Sequence, residues 1–125
     1  MNWTVVIVVT LVLLSAILGL KRMSFVSAEA AQAHLRTGAL IIDVRSPDEF
    51  QSGHISNAIN VPLGHFRDGL PRYVTDTNQV LLLHCLSGGR SAIAKLQAKR
   101  LGYPNVFNLG SYSRAEHIVR ASQGH

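Results

Sequence analysis

An α/β fold built on a parallel sheet is what this 125-residue chain predicts. Three observations carry the expectation. Apolar runs of strand length alternate with helix-like patterns from Phe25 to Ala121. The runs Leu40-Ile41-Ile42-Asp43-Val44 and Val80-Leu81-Leu82-Leu83 are apolar without alternation, as in strands covered on both faces. Helix-capping or turn residues stand at most junctions between runs. In such sheets ligands sit beyond the carboxyl ends of the strands.

The elements follow in order. Trp3 to Leu20 carries no charge and is followed by Lys21-Arg22. At ~1.5 Å per residue this stretch reaches roughly 27 Å, about one hydrocarbon core, which predicts a transmembrane anchor over residues 1–22. The basic pair on its inner flank places the remaining domain, residues 23–125, on the cytoplasmic side. Export after cleavage near Val26-Ser27-Ala28 is the alternative. It fits less well, because a signal peptide carries its positive charge before the apolar stretch. Phe25-Val26 reads as a short strand, and Ser27 caps a helix from Ala28 to about Arg36, with Glu29 in its first turn. Leu40 to Val44 is the first long strand. Ser46-Pro47-Asp48-Glu49 then forms a capping box with proline at the first helical position, opening a short helix that stops near Gly53.

A short strand over Ala58 to Val61 is halted by Pro62, and a helix spans His65 to Tyr73. Gln79 to His84 is the most apolar strand. Ser91 to Leu101 reads as an amphipathic helix with Ile93, Leu96 and Leu101 on its buried side, ended by Gly102. Val106 to Leu109 is the last strand, and a final helix runs from Ser111 to about Ala121.

Charge is uneven over this frame. Residues 23–82 hold four arginines and six acids, whereas residues 83–125 hold six basic residues and only Glu116. The basic half fits an anionic substrate or an acidic lipid surface, while Lys95, Lys99 and Arg100 read as a solvated helix face. No aromatic-basic interleaving, zinc-finger spacing or helix-turn-helix pattern is present, so nucleic acid is not an expected partner.

Chemistry concentrates at Cys85, the only cysteine. It stands where the most apolar strand breaks into Cys85-Leu86-Ser87-Gly88-Gly89-Arg90-Ser91 at a helix start. There the strand delivers the sulfur, two glycines let the backbone fold back beneath it, and the following amides point at an adjacent anion. Such a setting lowers a thiol pKa and favours thiolate. A small buried hydrophobe is the plainer reading of a lone cysteine, but core packing has no need of the glycines and arginine that follow. With no second thiol, any covalent state of Cys85 is discharged by a small molecule or a partner protein. His84 precedes Cys85, but neighbouring strand residues face opposite ways, so it is not expected to activate the thiol. His54 reads as a hydrogen-bonded core histidine. Asp43 is expected to give structural support through an ion pair with Arg45 or Arg90. Ser91 is expected to cap its helix, with a bond to the sulfur as the sharper alternative. His34, His65, His117 and His125 show no metal-ligand spacing, so neither metal nor cofactor is expected.

From Phe25 to Leu109 the chain resembles a single-domain rhodanese. The resemblance rests on Asp43-Val44-Arg45-Ser46-Pro47-Asp48-Glu49-Phe50, on Gly53-His54-Ile55 with Ala58-Ile59-Asn60-Val61-Pro62, and on the Cys85 to Ser91 loop. It implies a three-layer α/β fold with a central parallel sheet of about five strands flanked by helices. It also implies a sulfurtransferase whose Cys85 carries a sulfane sulfur from thiosulfate or another persulfide to cyanide, a thiol or an acceptor protein. Leu86, Ser87, Gly88, Gly89, Arg90 and Ser91 would bind the substrate. The loop spans six residues from Cys85 to Arg90, where relatives resembling phosphatases have longer ones, so the resemblance favours sulfur over phosphate. A non-catalytic binding module at a membrane and a cysteine-dependent phosphatase or arsenate reductase stay as alternatives. One departure stands out: many rhodanese domains carry a glycine pair and a nearby tryptophan where this chain has Gly110-Ser111-Tyr112.

Overall fold

The computed structural model describes residues 2–123, and the side chains of residues 19–24 stand outside the described set. Eleven elements are present among the described residues: helices α1 (Trp3–Ser24) and α2 (Ala28–Arg36), strand β1 (Leu40–Asp43), α3 (Pro47–Ser52), β2 (Ile59–Asn60), a 3-10 turn at Leu63–His65, α4 (Phe66–Tyr73), β3 (Leu81–His84), α5 (Gly89–Arg100), β4 (Val106–Gly110) and α6 (Tyr112–Gln123).

The strands form one four-stranded sheet in the order β2-β1-β3-β4, with every pairing parallel. Ile42, Val44, Leu81, Leu83, Cys85 and Val106 face Phe66 and Leu70 of α4 and Ala94 and Ala98 of α5. Ile41, Leu82 and Leu109 face Ala31 of α2 and Ala115, Ile118 and Val119 of α6. This division is the period-two alternation of β3 read out in space: Leu81, Leu83 and Cys85 go to one layer, Leu82 to the other. The three-layer α/β architecture expected from the sequence is therefore present.

The sheet has four strands rather than about five. Phe25-Val26 makes one ladder-like bond, Val26 N–H to Asn108 O at 2.9 Å, while the Val26 carbonyl accepts from the Arg114 guanidinium at 2.6 Å. The next donor along β4, Gly110 N–H, bonds to Asn108 Oδ1 at 2.9 Å instead, and the pairing goes no further.

Both N-terminal caps read from the sequence are formed. Ser27 accepts from Ala30 N–H, and Ser46 and Glu49 make the full capping box with Pro47 at the helix start. Helix α5 turns the opposite way to its apolar pattern. Ile93 and Leu96 are 50% and 60% exposed, and Ser91, Ala94 and Ala98 are buried instead. Those three small residues recur at helical spacing and let α5 lie close against β3 and β4, which leaves the long side chains outside.

Among the described residues no helix is long and apolar enough to cross a membrane, so the expected span over residues 3–20 is not found. The described apolar side chains of α1 end at Leu18. The side chains of the flanking pair Lys21-Arg22, like His125, lie outside the described residues. Those of Trp3 through Leu18 are exposed, Trp3 at 73%.

Candidate active site

The parallel register lines up Asn60, Asp43, His84 and Gly110 as one row at the carboxyl edge of the sheet. Cys85 follows immediately, fully buried. Its backbone N–H donates to Gly110 O at 3.3 Å, and Leu86 O accepts from Tyr112 N–H at 3.1 Å. An isolated bridge joins Ser87 to Ser111. The Cys85 loop is thus stitched to the β4–α6 junction along its first half.

Gly88 turns the loop back with φ of +100° and serves as N-cap of α5. A Cβ there would stand 2.7 Å from the Phe25 ring, so both the backbone angle and the space demand glycine. The turn aims the Gly88 N–H at Cys85 Sγ, 2.9 Å away, and brings the Ser91 hydroxyl within 3.5 Å of the same sulfur. Burial pushes the Cys85 thiol up, but bonds from the Ser91 hydroxyl and the backbone of Ser91, Gly88 and Ser87 outweigh it, leaving the pKa below its ordinary value. The sulfur also sits at the N-terminus of α5, where the helix dipole favours an anion.

Arg90 is held rather than free. Its two terminal nitrogens donate to Glu49 Oε1 at 2.6 Å and Oε2 at 3.0 Å, a bidentate pair spanning α3 and the cysteine loop. Glu49 Oε1 also accepts from Ser46 N–H, so one carboxylate completes a helix cap and fixes the arginine of the Cys85 loop. The Arg90 bond holds the Glu49 carboxyl down to about 2, with help from Ser46. A depressed acid contributes stability that is complete above its unfolded pKa of ~4.3 and is lost as pH falls towards the folded value. Urea unfolding at pH 5 and at pH 3 is therefore expected to show a smaller acid loss for Glu49→Gln than for the native chain. Equal losses would remove this pair from the acid response.

Asp43 pairs with Arg45, not Arg90. Arg45 Nε lies 3.0 and 3.1 Å from the two carboxylate oxygens and Nη2 lies 2.7 Å from Oδ2. Nη2 also donates to Gly53 O at 2.7 Å, and the guanidinium covers the Tyr112 ring at 4.5 Å. Asp43 is 0% and Arg45 5% exposed, so this is a buried ion pair in which both carboxylate oxygens accept and Arg45 donates through Nε and Nη2. Of the two partners expected for Asp43, Arg45 is the one it pairs with. Tyr112 stands where a tryptophan was missed and closes this side of the sheet edge against Arg45 and His84.

His84 faces away from Cys85 Sγ, as strand alternation requires. It is fully buried, its Nδ1 is 3.2 Å from Cys85 O, and burial lowers its pKa. His54 is not a core residue: it is exposed and stacks on Phe50, with Nδ1 2.8 Å from Phe50 O.

Of the loop residues expected to bind substrate, Gly88, Ser91 and the Ser87 backbone converge on the sulfur. Leu86 is 59% exposed and Gly89 opens α5 on the exposed side. Ser91 lies inside α5 rather than at its cap. Three contributors were not read from the sequence. Glu49 was seen only as a cap, although a capping box uses one carboxylate oxygen and leaves the other available. Asn108 is a polar residue within an apolar strand, a signal that was present. Phe25 packs on Gly88 and Gly110, and only the missing Cβ atoms mark its place.

The sequence pattern of the Rhodanese-like domain family matches residues 27–116. The thiosulfate sulfurtransferase PspE of Escherichia coli is 36% identical over 69 residues, 55% of this chain and 66% of that protein. A tRNA uridine(34) hydroxylase of Erwinia tasmaniensis is 32% identical over 75 residues, 57% of this chain but 21% of that protein. The human single-domain sulfurtransferase TSTD1 superposes with a TM-score of 0.64 at 25% identity, covering 74% of this chain and 95% of that one.

Proposed function

The chain belongs to the rhodanese-like domain family, and on that footing we propose that it is a sulfurtransferase using Cys85 as a persulfide carrier. The observation that carries the reading is Cys85 Sγ held 2.9 Å from the Gly88 N–H within a loop whose further amides converge on it. In the first half-reaction the Cys85 thiolate attacks the outer sulfur of thiosulfate. A new S–S bond forms, the old one breaks, and sulfite leaves with the bonding electron pair. Backbone N–H groups of Ser87, Gly88 and Ser91 stabilise the charge on the persulfide. In the second, cyanide or an acceptor thiolate takes the outer sulfur and the Cys85 thiolate is regenerated. Arg90, fixed by Glu49, presents positive charge to the anionic donor. PspE, itself a thiosulfate sulfurtransferase, supports this donor class.

The test is turnover. With thiosulfate and cyanide the protein is expected to release sulfite and thiocyanate in equal amounts. Turnover of an aryl phosphate with none of thiosulfate would favour the phosphatase reading, and neither activity would favour a binding module.

Attachment to a bilayer through residues 1–22, with residues 23–125 on the cytoplasmic side, is a separate proposal. It is supported by the uncharged stretch Trp3 to Leu20, the basic pair after it and the exposed apolar side chains of α1. Full-length protein that fails to float with phosphatidylcholine vesicles would remove it.

A further inference from the structure

Behind the nucleophile lies a polar cluster that neither the capping pattern nor the loop motif accounts for. Ser91 Oγ is 2.7 Å from Asn108 Oδ1, 3.1 Å from Gly88 O and 3.5 Å from Cys85 Sγ. Ser91 and Asn108 are 0% and 1% exposed, so water does not compete. A hydroxyl has one proton and three acceptors face it here.

The Asn108 amide orientation is fixed from outside the cluster. Gly110 N–H, which can only donate, is 2.9 Å from Asn108 Oδ1, and Asn108 Nδ2 donates to Gly88 O at 3.2 Å. A flipped amide would set donor against donor at Gly110 and acceptor against acceptor at Gly88. The oxygen therefore faces Ser91 Oγ, and two oxygens 2.7 Å apart need a proton between them. Amide oxygens carry none, so it is the Ser91 proton. The thiol is still satisfied in that state, because its S–H can donate to Ser91 Oγ. Once the sulfur is an anion, the Ser91 proton is wanted in two places.

We propose that Asn108 is a positioning residue that commands the Ser91 hydroxyl proton, withholding it from Cys85 Sγ in the resting thiol and yielding it as negative charge gathers on the sulfur. Asn108 thereby sets how readily the sulfur ionises without touching it. The inference rests on Cys85 being the sulfur-carrying nucleophile, but its test reads thiol ionisation and not sulfur transfer, so the two fail separately. The charged groups near Cys85 are Arg90 on α5, paired with Glu49 on α3, and, on the other side of the sheet, His84 of β3 beside Asp43 and Arg45. None of them is altered in the variants below.

The experiment follows iodoacetamide alkylation of Cys85 against pH, with thiolate absorbance in the ultraviolet as a second readout. Asn108→Leu is expected to lower the ionisation midpoint by roughly one pH unit, because the freed hydroxyl bonds to the thiolate. At a pH below both midpoints that is about tenfold faster alkylation. Ser91→Ala is expected to raise the midpoint by a similar amount. In a Ser91→Ala background, Asn108→Leu is expected to move nothing, which a general loosening of the loop would not reproduce. Asn108→Ser keeps the Gly110 N–H occupied through a local serine turn and carries the same expectation should the leucine variant not fold. A midpoint that rises or stays put in the Asn108 variant, or a shift that persists without the Ser91 hydroxyl, overturns the proposal.

Discussion

Cys85→Ser is expected to take up no sulfur at all, where the native chain gains ~32 Da per sulfane sulfur carried. The sulfur is the sole atom in the loop on which the converging N–H groups meet, and no other cysteine exists to replace it. A serine hydroxyl at the same place ionises far above neutral pH and forms no persulfide, so thiosulfate-dependent sulfite release should fall to background. Folding should change little, since oxygen accepts from Gly88 N–H as sulfur does. Intact-mass spectrometry after thiosulfate treatment separates the outcomes cleanly. An equal adduct on the serine variant, or none on the native chain, would end the persulfide reading, and unfolding of the variant would be visible by circular dichroism in the same samples.

Removing Asp43 should have the largest effect on stability. Asp43→Ala leaves the Arg45 guanidinium buried with its main counter-charge gone, and breaking a buried pair from one side costs about 3–5 kcal/mol. The loss compounds because the same carboxylate accepts the Arg45 backbone N–H at 2.9 Å. Urea unfolding should show a strong drop in midpoint, and the double variant Asp43→Ala, Arg45→Met should recover part of it, since no isolated charge remains. A single variant within about 0.5 kcal/mol of the native chain would mean that Arg45 finds full compensation in Gly53 O and the Tyr112 ring. Because Asp43 stands in the same sheet-edge row as His84, which leads into the loop, some loss of transfer activity is also expected.

What could be read from the chain alone follows the range of each interaction. The capping box at Ser46 to Glu49 and the Ser27 cap are local, decided within four residues, and both formed as read. The opposite facing of His84 and Cys85 needed only strand alternation. The Arg90–Glu49 pair joins positions 41 apart in sequence, and nothing local distinguishes it from a solvated arginine. Helix α5 misled for a different reason. Its long apolar residues suggested one face, but closeness to the sheet selected Ser91, Ala94 and Ala98. The fifth strand stops after one bond, where the next donor on β4, Gly110 N–H, turns to the Asn108 side chain.

The placement of Phe25 carries a mechanical consequence. This residue ends α1, and its ring fills the space over Gly88 and Gly110 that missing Cβ atoms leave open. No slack chain separates the apolar helix from the turn that aims an N–H at the sulfur. The end of α1 and the turn beneath Cys85 Sγ thus share one aromatic ring as their packing.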